Sequence, residues 1–114
     1  MTVLVTGGAG YIGSVFVEHL LARGERPVVL DDLSHGHRDA VDPSVPFYTG
    51  CVGDRALVTR IAREHAIDAC VHYAGDTSVS DSVADPAHYY DRNVTRAVTL
   101  FDALVKCGVG RFVY

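Results

Sequence analysis

A glycine-rich turn that directly follows a short apolar segment constrains the fold of this chain most strongly. Residues 2–6, TVLVT, are apolar and β-branched, and a helical pattern of apolar residues begins at Tyr11. A buried strand that enters a glycine turn and then a helix is typical of a βαβ unit, in which backbone amides at the helix N-terminus can face an anion. The turn fits GxxGxxG and GxGxxG together. The glycines of these two motifs are Gly7, Gly8, Gly10 and Gly13.

An acidic residue lies where such a turn needs one to bind a nucleotide. Residues 27–30 form a second apolar run that ends at Asp31 and Asp32, and Asp31 follows Gly10 by 21 positions. A carboxylate about 20 residues after the glycines accepts hydrogen bonds from the ribose hydroxyls of a dinucleotide. Its charge would repel a 2′-phosphate, so the pattern favours NAD over NADP. The neighbouring His37 and Arg38 keep NADP open as an alternative.

The rest of the chain continues the alternation of strands and helices. We predict three further strands at 45–50, 69–73 and 111–114, a helix from Asp54, and one long helix over 86–106 that Asp85 caps. Residues 33–46 and 76–85 are expected to be loops. The long helix should place five side chains toward the core, namely Tyr90, Val94, Ala97, Phe101 and Leu104. Right-handed crossovers then predict an α/β fold, a doubly wound Rossmann-like parallel sheet of five strands in the order 3-2-1-4-5, over residues 1–114 as one partial domain.

Composition argues against several classes of partner. The chain has 14 acidic and 10 basic side chains and a net charge of -4, which gives no electrostatic reason to expect nucleic acid or an anionic membrane. It has no apolar stretch of membrane-spanning length and no signal-like segment, so we expect a cytoplasmic location. Cys51, Cys70 and Cys107 lie far apart without CxxC spacing, which favours free thiols over disulfides or zinc.

The histidines and paired tyrosines have ordinary structural interpretations. His35 and His37 form an HxH pair in a loop, but a metal site needs a third ligand, so no metal is expected. His72 falls in an apolar strand and is expected to be a core histidine. Tyr89 and Tyr90 are expected to pack against the sheet.

Several motifs together resemble the extended short-chain dehydrogenase/reductase family of nucleotide-sugar epimerases. They are VLVTGGAGYIGS at 3–14, VHYAG at 71–75, Ser82-Val83 with Pro86, the Tyr89-Tyr90 and Asn93-Val94 pairs, and RFVY at 111–114. The similarity covers all 114 residues but only about the first third of such an enzyme. It implies NAD as cofactor, with Tyr11 and Ile12 beside the pyrophosphate and Asn93 stabilising the sheet and the cofactor loop. The complete predicted cofactor-binding set is Gly7, Gly10, Tyr11, Ile12, Gly13, Asp31, Asp32, Leu33, Cys51, Val52, Ala74, Gly75 and Asn93.

The sequence also departs from that family. Cys51 replaces an aspartate that usually contacts the adenine amino group, and Val15 stands where a histidine is frequent. Asp76 and Thr77 occupy a region that often carries a lysine near the nicotinamide. The family's catalytic Tyr-xxx-Lys pair does not occur in these 114 residues, so no catalytic residue is assigned.

The resemblance leads to one main hypothesis and two alternatives. The main hypothesis is the NAD-binding segment of a nucleotide-sugar 4-epimerase, in which a catalytic tyrosine removes the 4-hydroxyl proton and hydride passes to NAD and back. The nucleotide sugar would bind only in a longer protein. The alternatives are a non-catalytic dinucleotide-binding module that associates with itself, and a segment of a nucleotide-sugar dehydratase or reductase. The last predicted strand has no helix after it to cover the edge of the sheet, which predicts either a continuing chain or a homodimer.

Overall fold

Five short apolar segments form one parallel sheet, in a computed structural model that describes residues 1–75 and 79–114. Four of them are rich in β-branched or aromatic residues, and the fifth, residues 69–72, reads ACVH; such composition suits strands within a parallel sheet. The strands run in the order β3-β2-β1-β4-β5, as the sequence predicts, and every neighbouring pair is parallel. Their bounds are β1 Thr2–Thr6, β2 Arg26–Asp31, β3 Phe47–Thr49, β4 Ala69–His72 and β5 Arg111–Val113.

Helices cover both faces of this sheet. The α-helices are α1 Tyr11–Ala22, α2 Arg55–His65, α3 Val79–Ala84, α4 Pro86–Tyr90 and α5 Arg96–Lys106, with a 3₁₀ turn at Arg38–Ala40 and a π turn at Asp91–Thr95. Alternate residues of a strand point to opposite faces. Val3 and Val5 of β1 therefore pack with α1, whereas Leu4 packs with α2 and α5. The crossovers place the carboxyl ends of the strands at one edge of the sheet.

Two helix starts that the sequence predicts are built as expected. The Asp54 carboxylate accepts a hydrogen bond from the Leu57 amide at 3.1 Å, and α2 follows. Asp85 accepts one from the His88 amide at 3.2 Å, ahead of Pro86 at the first helical position. Both are standard N-cap arrangements.

The region before α5 differs from the prediction. Residues 79–84 are helical rather than a loop, and the predicted single helix over 86–106 is divided by the π turn. Tyr90 and Val94, which the sequence predicts in the core, are instead 69% and 48% exposed. A π turn adds a residue to the turn and rotates the apolar stripe, so the core-facing side chains of this stretch begin at Ala97. The main contacts of α4 are with α3 and the π turn, so Tyr90 does not pack against the sheet.

None of the helices in the described part of the chain is both long and apolar enough to span a bilayer.

Candidate functional site

A pocket lies at the carboxyl ends of β1, β2, β3 and β4. This edge is where doubly wound sheets bind their ligands, at the point where the strand order reverses. The residues that line the pocket are Gly7, Gly10, Leu30, Asp31, Asp32, Ser34, His35, Gly36, Gly50, Cys51, Val52, Tyr73, Ala74, Gly75, Arg92 and Arg96.

The glycine turn forms the floor of the pocket and leads into α1. Gly7 has a φ of 69°, and a Cβ at this residue would lie 2.7 Å from the Ala74 amide nitrogen. A Cβ at Gly13 would collide with the Gly7 carbonyl oxygen. Only glycine allows the first turn of α1 to sit this close to β1 and β4. Gly10 is the N-cap, no side chain caps α1, and its first turn has no acidic residue. The helix N-terminus is thus suited to an anion.

Asp31 joins the end of β2 to the glycine turn. The residue is 7% exposed, and its carboxylate accepts hydrogen bonds from the Ala9 amide at 2.9 Å and from the Leu33 amide at 2.8 Å. Leu33 adopts a left-handed conformation, with a φ of 61°, to make that bond. A carboxylate can accept about four hydrogen bonds, so Asp31 keeps capacity for hydroxyl groups of a ligand in the pocket.

A second carboxylate, Asp32, forms an ion pair with the helical region before α5. The Arg92 guanidinium donates from Nη2 to Asp32 Oδ2 at 2.8 Å and to Ser34 Oγ at 3.2 Å. Burial opposes ionisation of Asp32, but the hydrogen bonds from Ser34 and Arg92 together hold the pKa of its carboxyl below the usual range. The π turn is thereby connected to the loop after β2 across the pocket.

Beyond β3 the pocket meets a thiol and a guanidinium. Arg96 donates from Nη1 to Cys51 Sγ at 3.4 Å and from Nε to Asp91 Oδ2 at 2.8 Å. The Gly53 amide donates to the same sulfur at 3.3 Å. This end of the pocket therefore combines a cation with a weakly polar thiol.

Behind the glycine turn, a buried histidine supports the end of β1. His72 Nδ1 lies 2.6 Å from Thr6 Oγ1, which also accepts from the Ala74 amide at 3.4 Å. The His72 ring contacts Phe101 edge-on and stacks on Tyr114, both at 5.5 Å between ring centroids. Burial lowers the pKa of His72 to about 4, so the ring is neutral at neutral pH. His72 is a core residue, as expected from the sequence.

The structure brings eight of the predicted cofactor-binding residues to the pocket, namely Gly7, Gly10, Asp31, Asp32, Cys51, Val52, Ala74 and Gly75. The other five lie close by. Tyr11 and Ile12 are exposed on the first turn of α1, and Gly13 is buried beneath it. Leu33 is half-buried beside Asp31. Asn93 lies against Gly75, where a Cβ would be 3.0 Å from Asn93 Oδ1.

Sequence reasoning missed several lining residues. Ser34 and Gly36 border segments that it did find, and no motif marks them. His35 and Tyr73 belong to patterns that it named, the HxH pair and VHYAG, but neither was placed in the cofactor-binding set. Arg92 and Arg96 have an i,i+4 spacing that could have suggested a basic stripe on a helix, but their contacts with Asp32 and Cys51 join segments that are distant in the chain. Asp76 and Thr77, where the sequence departs from the family pattern, lie outside the described residues. The described residues contain no cluster of three or more His, Cys, Asp or Glu that could hold a metal ion.

Comparison with known proteins agrees with this geometry. The family model described as "NAD dependent epimerase/dehydratase family" matches residues 3–114. The chain is 44% identical over 114 residues to UDP-glucose 4-epimerase of Lacticaseibacillus casei, covering 100% of this chain and 34% of that protein. It is 40% identical to UDP-glucose 4-epimerase of Klebsiella pneumoniae over 121 residues, covering 100% of this chain and 87% of that sequence. The chain thus spans about a third of the length of curated relatives such as the L. casei protein.

Solved structures show the same likeness. The UDP-glucose 4-epimerase of Thermus thermophilus, a complex with NAD, superposes with a TM-score of 0.96 at 42% identity, over 100% of this chain and 37% of that one. A dTDP-glucose 4,6-dehydratase from Streptomyces venezuelae, with NAD bound, superposes with a TM-score of 0.91 at 38% identity, over 100% of this chain and 38% of that one.

Proposed function

Because the chain belongs to the NAD dependent epimerase/dehydratase family, we propose that its pocket binds NAD and that the segment is the cofactor-binding part of a UDP-glucose 4-epimerase. One observation carries the proposal above the others. The buried Asp31 carboxylate and the glycine turn lie together at the switch point of the sheet, joined by the bond from the Ala9 amide. Ribose and pyrophosphate groups need this pairing of an acceptor with an anion cradle.

Each part of the pocket has a separate task in binding. The N-terminus of α1 holds the pyrophosphate, because Gly7 and Gly13 keep Cβ atoms out of the turn. Asp31 accepts from the ribose hydroxyls, and Ala74 and Gly75 border the path toward the nicotinamide. Bound NAD supplies a hydride acceptor that also returns hydride. The 114 residues themselves bind and orient the cofactor, and UDP-glucose or UDP-galactose would be handled by residues of a longer protein.

Calorimetry with the purified 114-residue chain tests the binding. We expect NAD and ADP-ribose to bind, and NADP to bind at least about tenfold more weakly, because Asp31 repels a 2′-phosphate. For a substitution of Asp31 such as Asp31→Asn, the matched control is Asp42→Asn, since the Asp42 carboxylate accepts from the Ser44 amide in a similar turn outside the pocket. Equal affinities for NAD and NADP would refute the role of Asp31, and binding of neither would refute the proposed function.

The adenine end offers a second test of the same proposal. A carboxylate in place of Cys51 could accept a hydrogen bond from the adenine amino group. Cys51→Asp is expected to strengthen NAD binding by on the order of 1 kcal/mol, which is one charge-assisted hydrogen bond partly offset by desolvation. No gain in affinity would show that Cys51 does not face the base.

The isolated chain is expected to bind NAD without turnover. No Tyr-xxx-Lys pair occurs in its 114 residues, and without one no general base is available for the sugar hydroxyl. Interconversion of UDP-glucose and UDP-galactose by the pure chain would contradict this prediction.

A dehydratase segment is the second candidate function. The likeness to the S. venezuelae dehydratase favours it, and both candidates use the same NAD site. A non-catalytic module that only binds a dinucleotide stays a third alternative, and the turnover assay on a longer form of the protein would distinguish it. A cytoplasmic location stays a prediction from the sequence.

A further inference from the structure

This inference rests on the NAD site proposed above. Given that site, the strand order indicates where the purine of the dinucleotide would lie. The anion cradle lies after β1 and Asp31 lies after β2, so the next position outward along the sheet is the end of β3. Gly50, Cys51 and Val52 follow β3 and line the pocket there. A dinucleotide with its pyrophosphate on α1 and its ribose at Asp31 would place the base against these residues.

The polar side chains at that end, Cys51 and Arg96, can donate hydrogen bonds. The Arg96 guanidinium lines the pocket and lies 3.4 Å from Cys51 Sγ. Guanidinium has five donors and no acceptor, and a thiol is a weak donor and a weak acceptor. The Cys51 sulfur already accepts from both Arg96 and the Gly53 amide. Cys51 can therefore still donate its thiol hydrogen to a ligand.

The strong acceptors near the pocket are engaged elsewhere. Among the described lining residues the carboxylates are Asp31 and Asp32. Asp31 belongs to the ribose position and Asp32 pairs with Arg92 at 2.8 Å. Neither is placed after β3, so a 6-amino group on a purine finds no carboxylate among the described lining residues at that end.

Gly53 allows the arginine to reach this position. A Cβ at residue 53 would lie 3.0 Å from Arg96 Cγ and 3.3 Å from Arg96 Cβ. The arginine stem therefore crosses directly over the loop between β3 and α2. The Asp91 carboxylate holds its Nε at 2.8 Å, which orients the guanidinium. The loop after β3, the π turn and the start of α5 thus together build one donor surface, which consists of the Cys51 thiol and the Arg96 guanidinium.

We propose that this surface reads the acceptor edge of a purine, so that the pocket accepts a 6-oxopurine dinucleotide as well as NAD. Adenine presents an acceptor at N7 and a donor at its 6-amino group, whereas a 6-oxopurine presents acceptors at both N7 and O6. Arginine pairs with the second pattern in a bidentate manner, and the first pattern sets a donor against a donor. Arg96 and Cys51 are the residues that determine this base preference.

The experiment measures the dissociation constants of NAD and of nicotinamide hypoxanthine dinucleotide by calorimetry. In the unmodified chain the hypoxanthine compound is expected to bind within about threefold of NAD or more tightly. Cys51→Asp should raise the dissociation constant of the hypoxanthine compound relative to that of NAD by at least about tenfold, because a carboxylate accepts from the amino group and repels O6. Arg96→Gln should shift the ratio in the same direction by a smaller factor. The control is Arg60→Gln, since Arg60 pairs with Glu64 on an exposed face of α2.

The possible results distinguish this inference from the proposed function. If NAD binds and the hypoxanthine compound binds more than about tenfold more weakly to the unmodified chain, this inference is wrong while the NAD site stands. If both variants fold and leave the ratio unchanged, the donors do not face the base and the inference is again wrong. If neither dinucleotide binds, the proposed function itself fails. The ratio of the two dissociation constants in the unmodified chain tests this inference even where a variant does not fold.

Discussion

Asp31 has a structural task as well as the proposed role in binding. Its two carboxylate oxygens accept from the Ala9 and Leu33 amides, so one side chain sets the glycine turn, the end of β2 and the following loop relative to one another. The group proposed to recognise ribose therefore also shapes the pocket around it.

Asp31→Asn tests both tasks. The amide keeps the shape but has one acceptor oxygen, so one backbone donor loses its partner, and we expect a loss of about 1–3 kcal/mol in the free energy of unfolding. NAD binding should weaken by at least about tenfold. Urea unfolding and calorimetry measure the two effects, with Asp42→Asn as the exposed control. An Asp31→Asn protein as stable as the parent would mean that these two hydrogen bonds contribute little.

His72 gives the fold a dependence on pH. Burial lowers its pKa from 6.5 to about 4 in the folded chain. The unfolded chain therefore takes up a proton at a higher pH than the folded chain does. The contribution of neutral His72 to the free energy of unfolding is fully present above about pH 6.5 and is lost as the pH falls from there toward about 4.

The measurement is urea unfolding at about pH 7 and about pH 5. The parent should lose up to about 2 kcal/mol more between these conditions than His72→Gln, which cannot take up the proton. His19→Gln, at an exposed position of α1, should behave as the parent does. An equal loss in the parent and in His72→Gln would assign the acid sensitivity to other groups.

At the scale of elements, the sheet could be predicted from sequence and the helical region before α5 could not. Each strand is an apolar run that ends in a turn, and the handedness of the crossovers determines the strand order. The helical segment over 79–84 reads VSDSVA, which carries no apolar period. The π turn over 91–95 has no signature either, yet it places Arg92 at the pocket and Tyr90 toward water. These features depend on contacts between distant segments, which local patterns do not encode.

The ion pair between Arg92 and Asp32 joins the π turn to the loop after β2, so its loss should lower the local stability of both. Arg92→Gln removes the ion pair with Asp32 at 2.8 Å. A partly exposed pair contributes under about 1 kcal/mol to global stability. Local opening should nevertheless become easier, and amide hydrogen exchange should speed up in the π turn and in residues 32–36. Arg60→Gln, which breaks a pair within α2, should leave both regions unchanged. Unchanged exchange in Arg92→Gln would show that other contacts hold the π turn.

At the scale of the whole molecule, the two faces of the sheet differ at β5. Phe112 packs on Phe101 at 5.3 Å between ring centroids, so one face of this strand is covered by α5. Val113 is paired with Val71 in the parallel register, so the two side chains lie on the same face of the sheet. On that face α1 covers Val71, but Val113 is 62% exposed. Tyr114 beyond it is 78% exposed. An unpaired strand edge next to exposed apolar side chains favours association.

We therefore predict that the 114-residue chain forms a homodimer through β5. Two copies that pair their β5 edges would continue the sheet and bury Val113 and Tyr114 of each copy. Sedimentation velocity at micromolar concentration should show the dimer, and Val113→Lys should give a monomer, because an edge lysine blocks strand addition. Val83→Lys, at an exposed position of α3, is the control and should remain dimeric. A stable monomer for the parent chain would contradict the prediction. A dimer that Val113→Lys leaves intact would place the interface elsewhere, with the exposed Ile12 and Val15 of α1 as the next surface to substitute.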